Sequence, residues 1–175
     1  CNIRNKNNKN FYLKIVVRRT HGHLVGNIRR SLKYVSNKYI LVIQHDLMFC
    51  RKFNIQSILH DMIKFKNLKH VRFNKRTNIE KGYDKTKFPL WNKYNIRGNN
   101  NYISTFNWSD NNHLCPIDYY KDVVMNLCKN GKPMEYFLYK RRKKKSLNDH
   151  LGTYVYGELN EPCVIRHLDG RLTKQ

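Results

Sequence analysis

The sequence predicts an α/β domain in which a mainly parallel sheet is flanked by helices. Three observations predict it. The run Tyr39-Ile40-Leu41-Val42-Ile43 is apolar and β-branched, and it stops abruptly at Gln44-His45-Asp46. Stretches with apolar residues at helical spacing lie on either side of that run, between further strand-like segments. The chain has 175 residues, 40% of them hydrophobic, which fits one domain with a substantial core.

Taken in order, residues 1–10 are polar and are expected to fray. Residues 12–17 read as a strand. Residues 24–35 carry Leu24, Ile28, Leu32 and Val35 at helical spacing. Residues 39–43 are the apolar strand, expected to be buried and parallel. Such a strand delivers one acid, Asp46, to the carboxyl edge of the sheet, where α/β folds bind ligands. Residues 54–65 place Ile55, Ile58, Leu59, Met62 and Ile63 on one helical side. Residues 70–73 form a short strand. This β-α-β-α-β alternation is the basis for a parallel, Rossmann-like sheet. Residues 74–101 are rich in Lys, Asn and Gly, embed Phe88-Pro89 and Trp91, and have the length of a functional surface excursion. Residues 103–108 read as a strand. Pro116 suits the first turn of a helix running to about residue 128. Residues 135–139 suit a short helix or strand, 139–145 form a solvated basic run, and 153–156 and 163–167 are late strands. No internal repeat or domain boundary is visible.

The formal net charge is +23 and the sequence pI about 10.0. A basic surface neutralises phosphates, so nucleic acid is one partner class. Roughly one residue in eight is Asn, which adds nothing to phosphate affinity, and joint Lys/Asn enrichment is also the mark of an AT-rich coding sequence. A polyanionic small substrate would exploit the same field. No run is long and apolar enough to span a membrane, and no signal peptide is visible. Cys1, Cys50, Cys115, Cys128 and Cys163 form no C-x-x-C pair. Their scatter argues against a disulfide framework and structural zinc, and suggests reduced core cysteines in a cytoplasmic setting.

Three constellations carry chemistry. The first is Thr20-His21-Gly22-His23, Gly26-Asn27, a helix, and the strand ending in Gln44-His45-Asp46. One carboxylate at a strand end holds a hard divalent cation when diphosphate and water complete its shell. The bland reading of Asp46 is a cap on the next helix. His45-Asp46 also matches the dipeptide of HD-type phosphohydrolases, but those carry it on helices. His21 and His23 read as plain loop residues. The second constellation is Phe106-Asn107-Trp108-Ser109-Asp110-Asn111-Asn112-His113, with an acid between a strand and an expected helix. Asp110 is placed to accept a proton, and Trp108 would offer a flat stacking face. The alternatives are a turn-capping Asp110 and a core Trp108. Glu135 is the rival base. The third is Val164-Ile165-Arg166-His167-Leu168-Asp169-Gly170-Arg171, preceded by Gly152-Thr153-Tyr154. His167 suits manganese, and Arg171 suits a diphosphate through its planar fork. A solvent-facing β-turn is the alternative. Arg72, leaving the strand at 70–73, is the best cleft candidate in Arg72-Phe73-Asn74-Lys75-Arg76.

In order, these segments resemble GT-A fold glycosyltransferases, especially the family 2 type and its small viral, algal and bacterial members. Gly22 and Asn27 fall at the matching places in the nucleotide-sugar segment, and Asp46 falls on the last Asp of the DxD motif. Gln44 departs from its first Asp. The resemblance spans about residues 12–171 and implies a metal-dependent transfer of a glycosyl group from a nucleotide-sugar to an acceptor hydroxyl. Asp46 and His167 would hold Mn2+ or Mg2+. Asp110, or else Glu135, would act as base. Gly22, Asn27, Arg72 and Arg171 would bind the donor. In such domains a first strand and loop precede the Gly22 turn, so the expectation is a domain incomplete at its N-terminus. Two rivals stand beside this reading: a basic nucleic-acid-binding protein, with Trp91, Trp108 and many tyrosines for stacking, and a catalytically inactive glycosyltransferase-like binding module.

Overall fold

The structure is a computed structural model that describes residues 2–4, 12–17, 19, 22–79, 95–105, 108–139 and 151–168. The fold is mixed α/β, built on a six-stranded sheet. Its strands are β3 (Tyr39–Val42), β5 (His70–Arg72), β6 (Ile96–Arg97), β7 (Asn101–Ser104), β8 (His113–Pro116) and β9 (Thr153–Tyr156). Two ribbons stand apart from it. One pairs β1 (Asn2–Arg4) with β2 (Tyr12–Lys14), so three of the residues expected to fray are in a ladder. The other pairs β4 (Leu47–Phe49) with β10 (Ile165–His167). The helices are α1 (His23–Ser31), α2 (Ile55–Lys64), α3 (Met125–Leu127) and α4 (Met134–Tyr139). A π-helical segment, Tyr119–Val124, leads into α3.

The strand order is β3-β8-β5-β9-β7-β6. Only β5 and β9 pair in parallel; the other ladders of this sheet are antiparallel. The expected mainly parallel, Rossmann-like sheet is therefore corrected. The crossover rule was sound for direction, since β3 and β5 flank α2 and both run opposite to β8. What the local pattern did not contain is that a strand from forty residues further on inserts between them. A helix between two strands sets their relative sense, not their adjacency.

β3 is also not a central strand. Among the described residues it pairs only with β8, and each of its four residues is half-buried. Its apolar run has another cause: Tyr39 and Leu41 pack on one core, Ile40 and Val42 on a second. Both sheet faces are covered, so both side-chain parities must be apolar. The first core joins Ile58 and Met62 of α2 to Val71, Leu114 and Tyr154 of the sheet, together with Leu47 and Ile165 of the β4–β10 ribbon. The second joins Val25 and Leu32 to Cys115, Tyr120, Met125 and Leu138.

Local chemistry explains the helix ends. Asn54 caps α2, its side chain accepting from the backbone N–H groups of Gln56 at 3.0 Å and Ser57 at 3.2 Å. Arg29 of α1 reaches the end of α3, donating to the carbonyls of Met125 at 2.9 Å and Cys128 at 2.7 Å, which otherwise lack helical partners. The helix expected after Pro116 is present: Pro116 is the last residue of β8, and helix starts at Ile117 and runs through the π-helical segment and α3 to Leu127. The 74–101 excursion lies largely outside the described residues, as does the basic run within 140–145; the described end of the excursion forms β6 and starts β7.

Candidate functional site

β3 and β5 run in one direction and β8 in the other, so the exits of β3 and β5 share a rim with the entry to β8. Four segments meet there: 44–46 after β3, 73–76 after β5, 109–112 before β8, and the end of β10.

Asp46 and His167 are brought together. His167 Nδ1 lies 3.6 Å from Asp46 Oδ2. The β4–β10 ribbon does this by pairing His167 with Leu47, and the Leu168 N–H closes the ribbon by donating to the Asp46 carbonyl at 2.9 Å. Asp46 caps no helix, because β4 follows it and α2 has Asn54. Asp46 Oδ1 and His167 Nδ1 are both buried atoms without a hydrogen-bond partner. A carboxylate and an imidazole with such unpartnered atoms, in adjacent side chains, are of the type that holds a divalent cation whose remaining ligands come from a phosphate and water. Among the described residues there is no group of three or more such ligands.

Asp110 and Glu135 form a second acidic pair. Glu135 Oε1 accepts from Ser109 Oγ at 2.7 Å and from the Asp110 N–H at 3.3 Å, so α4 holds the loop that carries Asp110. Burial, followed by the neighbouring Glu135 charge and hydrogen bond, pushes the Asp110 carboxyl up to about 7. The expected strand-to-helix setting of Asp110 is corrected: it stands in a loop that enters β8.

Gln44 links two of these segments. Its Nε2 donates to the Asp110 carbonyl at 2.6 Å, and its own N–H donates to Asn112 Oδ1 at 2.8 Å. A carboxylate at 44 has no proton to donate there. The amide ties the Asp46 turn to the Asp110 loop.

Lys75 is the residue that sequence reasoning passed over in favour of Arg72. Its Nζ lies 3.1 Å from His167 Nε2, on the opposite side of the ring from Asp46. Burial and then the charge of Arg76 lower its pKa, while Glu135 and Asp110 favour its charged form. Arg72 is half-buried, and its charge also acts on Lys75. Two buried asparagines went unnoticed for a different reason: Asn is so common here that single positions do not stand out. Asn112 Nδ2 donates to the Leu47 carbonyl at 2.9 Å. Asn74 Oδ1 accepts from the Val164 N–H at 3.0 Å, and its Nδ2 donates to the Arg76 and Pro162 carbonyls. Together they fasten the loops that carry Asp46, Lys75 and His167.

Other expected site residues lie elsewhere. Gly22 precedes α1 and Asn27 stands on its exposed side; that helix packs on the second core, and the network just described does not include them. Arg171 lies outside the described residues. Trp108 offers no face to a sugar: it is 3% exposed, its ring 4.8 Å from His70 and within 14° of parallel to it. Cys115 and Cys128 are core cysteines as expected, but Cys50 is exposed and Cys163 half-buried. No helix among the described residues is long and apolar enough to cross a membrane.

Comparisons with protein-family models, with curated proteins and with solved structures find no match to this chain.

Proposed function

We propose that this domain transfers a glycosyl group from a nucleotide-sugar to an acceptor hydroxyl. The observation that carries the reading is the convergence at one rim of Asp46, His167, Asp110, Glu135 and Lys75, which come from five separate segments. Asp110 is the general base. Its carboxyl titrates near 7, which matches a base working at neutral pH. It accepts the acceptor hydroxyl's proton as that oxygen attacks the anomeric carbon. Glu135 keeps the Asp110 loop in place, and Gln44 fixes it from the other side. Asp46 and His167 would hold a divalent cation, Mn2+ or Mg2+, whose chemistry is to neutralise charge on a departing diphosphate without proton transfer. Lys75 contacts the other ring nitrogen of His167, so the proton shared between Nζ and Nε2 sets whether Nδ1 is free to bind a cation. Inversion at the anomeric carbon follows from assigning a base.

The net charge of +23 favours a second reading, a nucleic-acid surface. Burial of Trp108 removes one of the aromatic platforms that reading needs. The inactive binding module remains the third.

Calorimetry with a panel of nucleoside diphosphates, with and without manganese, tests the proposal. The expected result is metal-linked binding that Asp46→Asn abolishes. Unchanged, metal-linked binding in that variant, or tight RNA or DNA binding with no diphosphate binding, rejects it.

A further inference from the structure

At the end of the β4–β10 ribbon away from Asp46 and His167, two thiols face each other. Cys50 Sγ lies 3.9 Å from Cys163 Sγ, and the Cys50 N–H donates to the Val164 carbonyl at 2.9 Å. We propose that Cys50 and Cys163 are a reversible disulfide site, oxidised by a small anionic disulfide of the glutathione class, that staples the ribbon carrying the Asp46–His167 pair. The inference does not depend on the sugar-transfer reading.

Three observations support it. The sulfurs need to close from 3.9 Å to about 2.05 Å, a movement on the scale of side-chain rotation, next to a ladder that the Cys50 N–H extends by its bond to the Val164 carbonyl. Cys50 is exposed and lines an open surface cavity of about 500 Å³ with Phe49, Arg51, Lys52 and Phe53. The charge of Arg51 is balanced by Glu161 at 2.8 Å, while Lys52 and Arg166 present exposed positive charge beside the thiols. Carboxylates of an anionic disulfide are attracted to it. Partial burial and the neighbouring Cys163 raise the Cys50 thiol while Arg166 draws it down, which sets the fraction of reactive thiolate.

The exposed thiol reacts first. Cys50 loses its proton to solvent and attacks one sulfur of glutathione disulfide. That S–S bond breaks, and one glutathione leaves as a thiolate and takes up a proton. Cys163, deprotonated in turn, attacks the Cys50 sulfur and displaces the second glutathione, which is protonated likewise. Two electrons pass from the protein thiols to glutathione disulfide, and no other oxidant enters.

The test incubates the full chain with oxidised and reduced glutathione over a range of ratios, then maps cross-links by non-reducing digestion and mass spectrometry. The expected product joins the Cys50 and Cys163 peptides, lacks two hydrogens, reverts with excess thiol, and forms about tenfold or more faster in the native chain than in urea. Hydrogen exchange at the Leu168 amide slows in the oxidised form. Cys163→Ser stops at a stable glutathione adduct on Cys50. The proposal is overturned if the native chain gives only adducts at every ratio, if either cysteine pairs elsewhere, or if cross-linking is no faster folded than unfolded.

Discussion

Asp61 and Asp110 are both aspartates packed against the central sheet, and the fold treats them in opposite ways. Asp61, on α2, is fully buried. It accepts from Tyr102 Oη at 2.7 Å, from the Asn99 N–H at 2.8 Å, and from Asn100 through its N–H at 2.9 Å and Nδ2 at 3.0 Å. Burial alone would raise its pKa, but these donors outweigh it and hold the carboxyl below its ordinary range. The β6–β7 turn is moulded on this carboxylate: a Cβ at Gly98 would collide with it. Asp110 is buried without such a ring of donors and has a like-charged neighbour, and its carboxyl is driven up, by burial first and by Glu135 second. A carboxylate whose hydrogen-bond needs are met is part of the scaffold. One kept short of them is poised to take a proton.

That contrast can be broken from either side. The largest effect is expected from Asp61→Leu, which leaves the Tyr102, Asn99 and Asn100 donors unmet. Denaturant unfolding should show a loss of about 3 kcal/mol or more. Wild-type stability supplied by Asp61 is present above its ordinary range and lost as pH falls through its lowered folded value. Asp110→Asn should do the reverse: turnover falls about a hundredfold or more while donor binding and folding survive. Near-normal turnover would move the base to Glu135. Asn112→Ala unties Gln44 from Leu47 and should cost about 1–3 kcal/mol, read by the same unfolding experiment. Glu135→Gln keeps an oxygen for Ser109 but removes the like charge, so the acidic limb of the pH–rate profile should move to lower pH. Burial, the larger cause, persists, so the limb does not return to the ordinary carboxylate range.

The smallest effect is a difference in slope. Burial drives the His113 imidazole down to about 4 from 6.5, so the folded state refuses a proton that the unfolded chain accepts, and stability falls as pH drops across that interval. Asp110, raised from 3.8 to about 7, binds its proton more readily when folded, and stability rises as pH drops through nearly the same interval. The two oppose each other. Asp110→Asn should therefore lose more of its melting temperature between pH 7 and pH 5 than wild type does, a comparison made by calorimetric scans at both values.

Elements governed by local pattern were legible in the sequence. Helices at 23–31 and 55–64 and strands at 39–42, 70–72 and 153–156 follow from spacing and cap chemistry. The rim was partly legible, because Asp46, Asp110 and His167 are chemically distinctive and end or precede strand-like runs. Adjacency was not legible. Placing β8 between β3 and β5 depends on pairing with residues far along the chain, and the apolar run of β3 reads the same for a buried parallel strand as for an edge strand covered on both faces. Lys75 and Asn112 act through partners that are neighbours only after folding, so nothing at their own positions in the sequence distinguishes them.

The place of β8 has a consequence for the order of assembly. Until residue 116 has left the ribosome, β3 and β5 lack the strand that lies between them, and the backbone N–H and C=O groups that face it stay unpaired. The β4–β10 ribbon closes later still, once residue 167 is made. Contacts this distant in sequence slow folding. Asp46, in the turn after β3, is therefore synthesised well before the imidazole it comes to face.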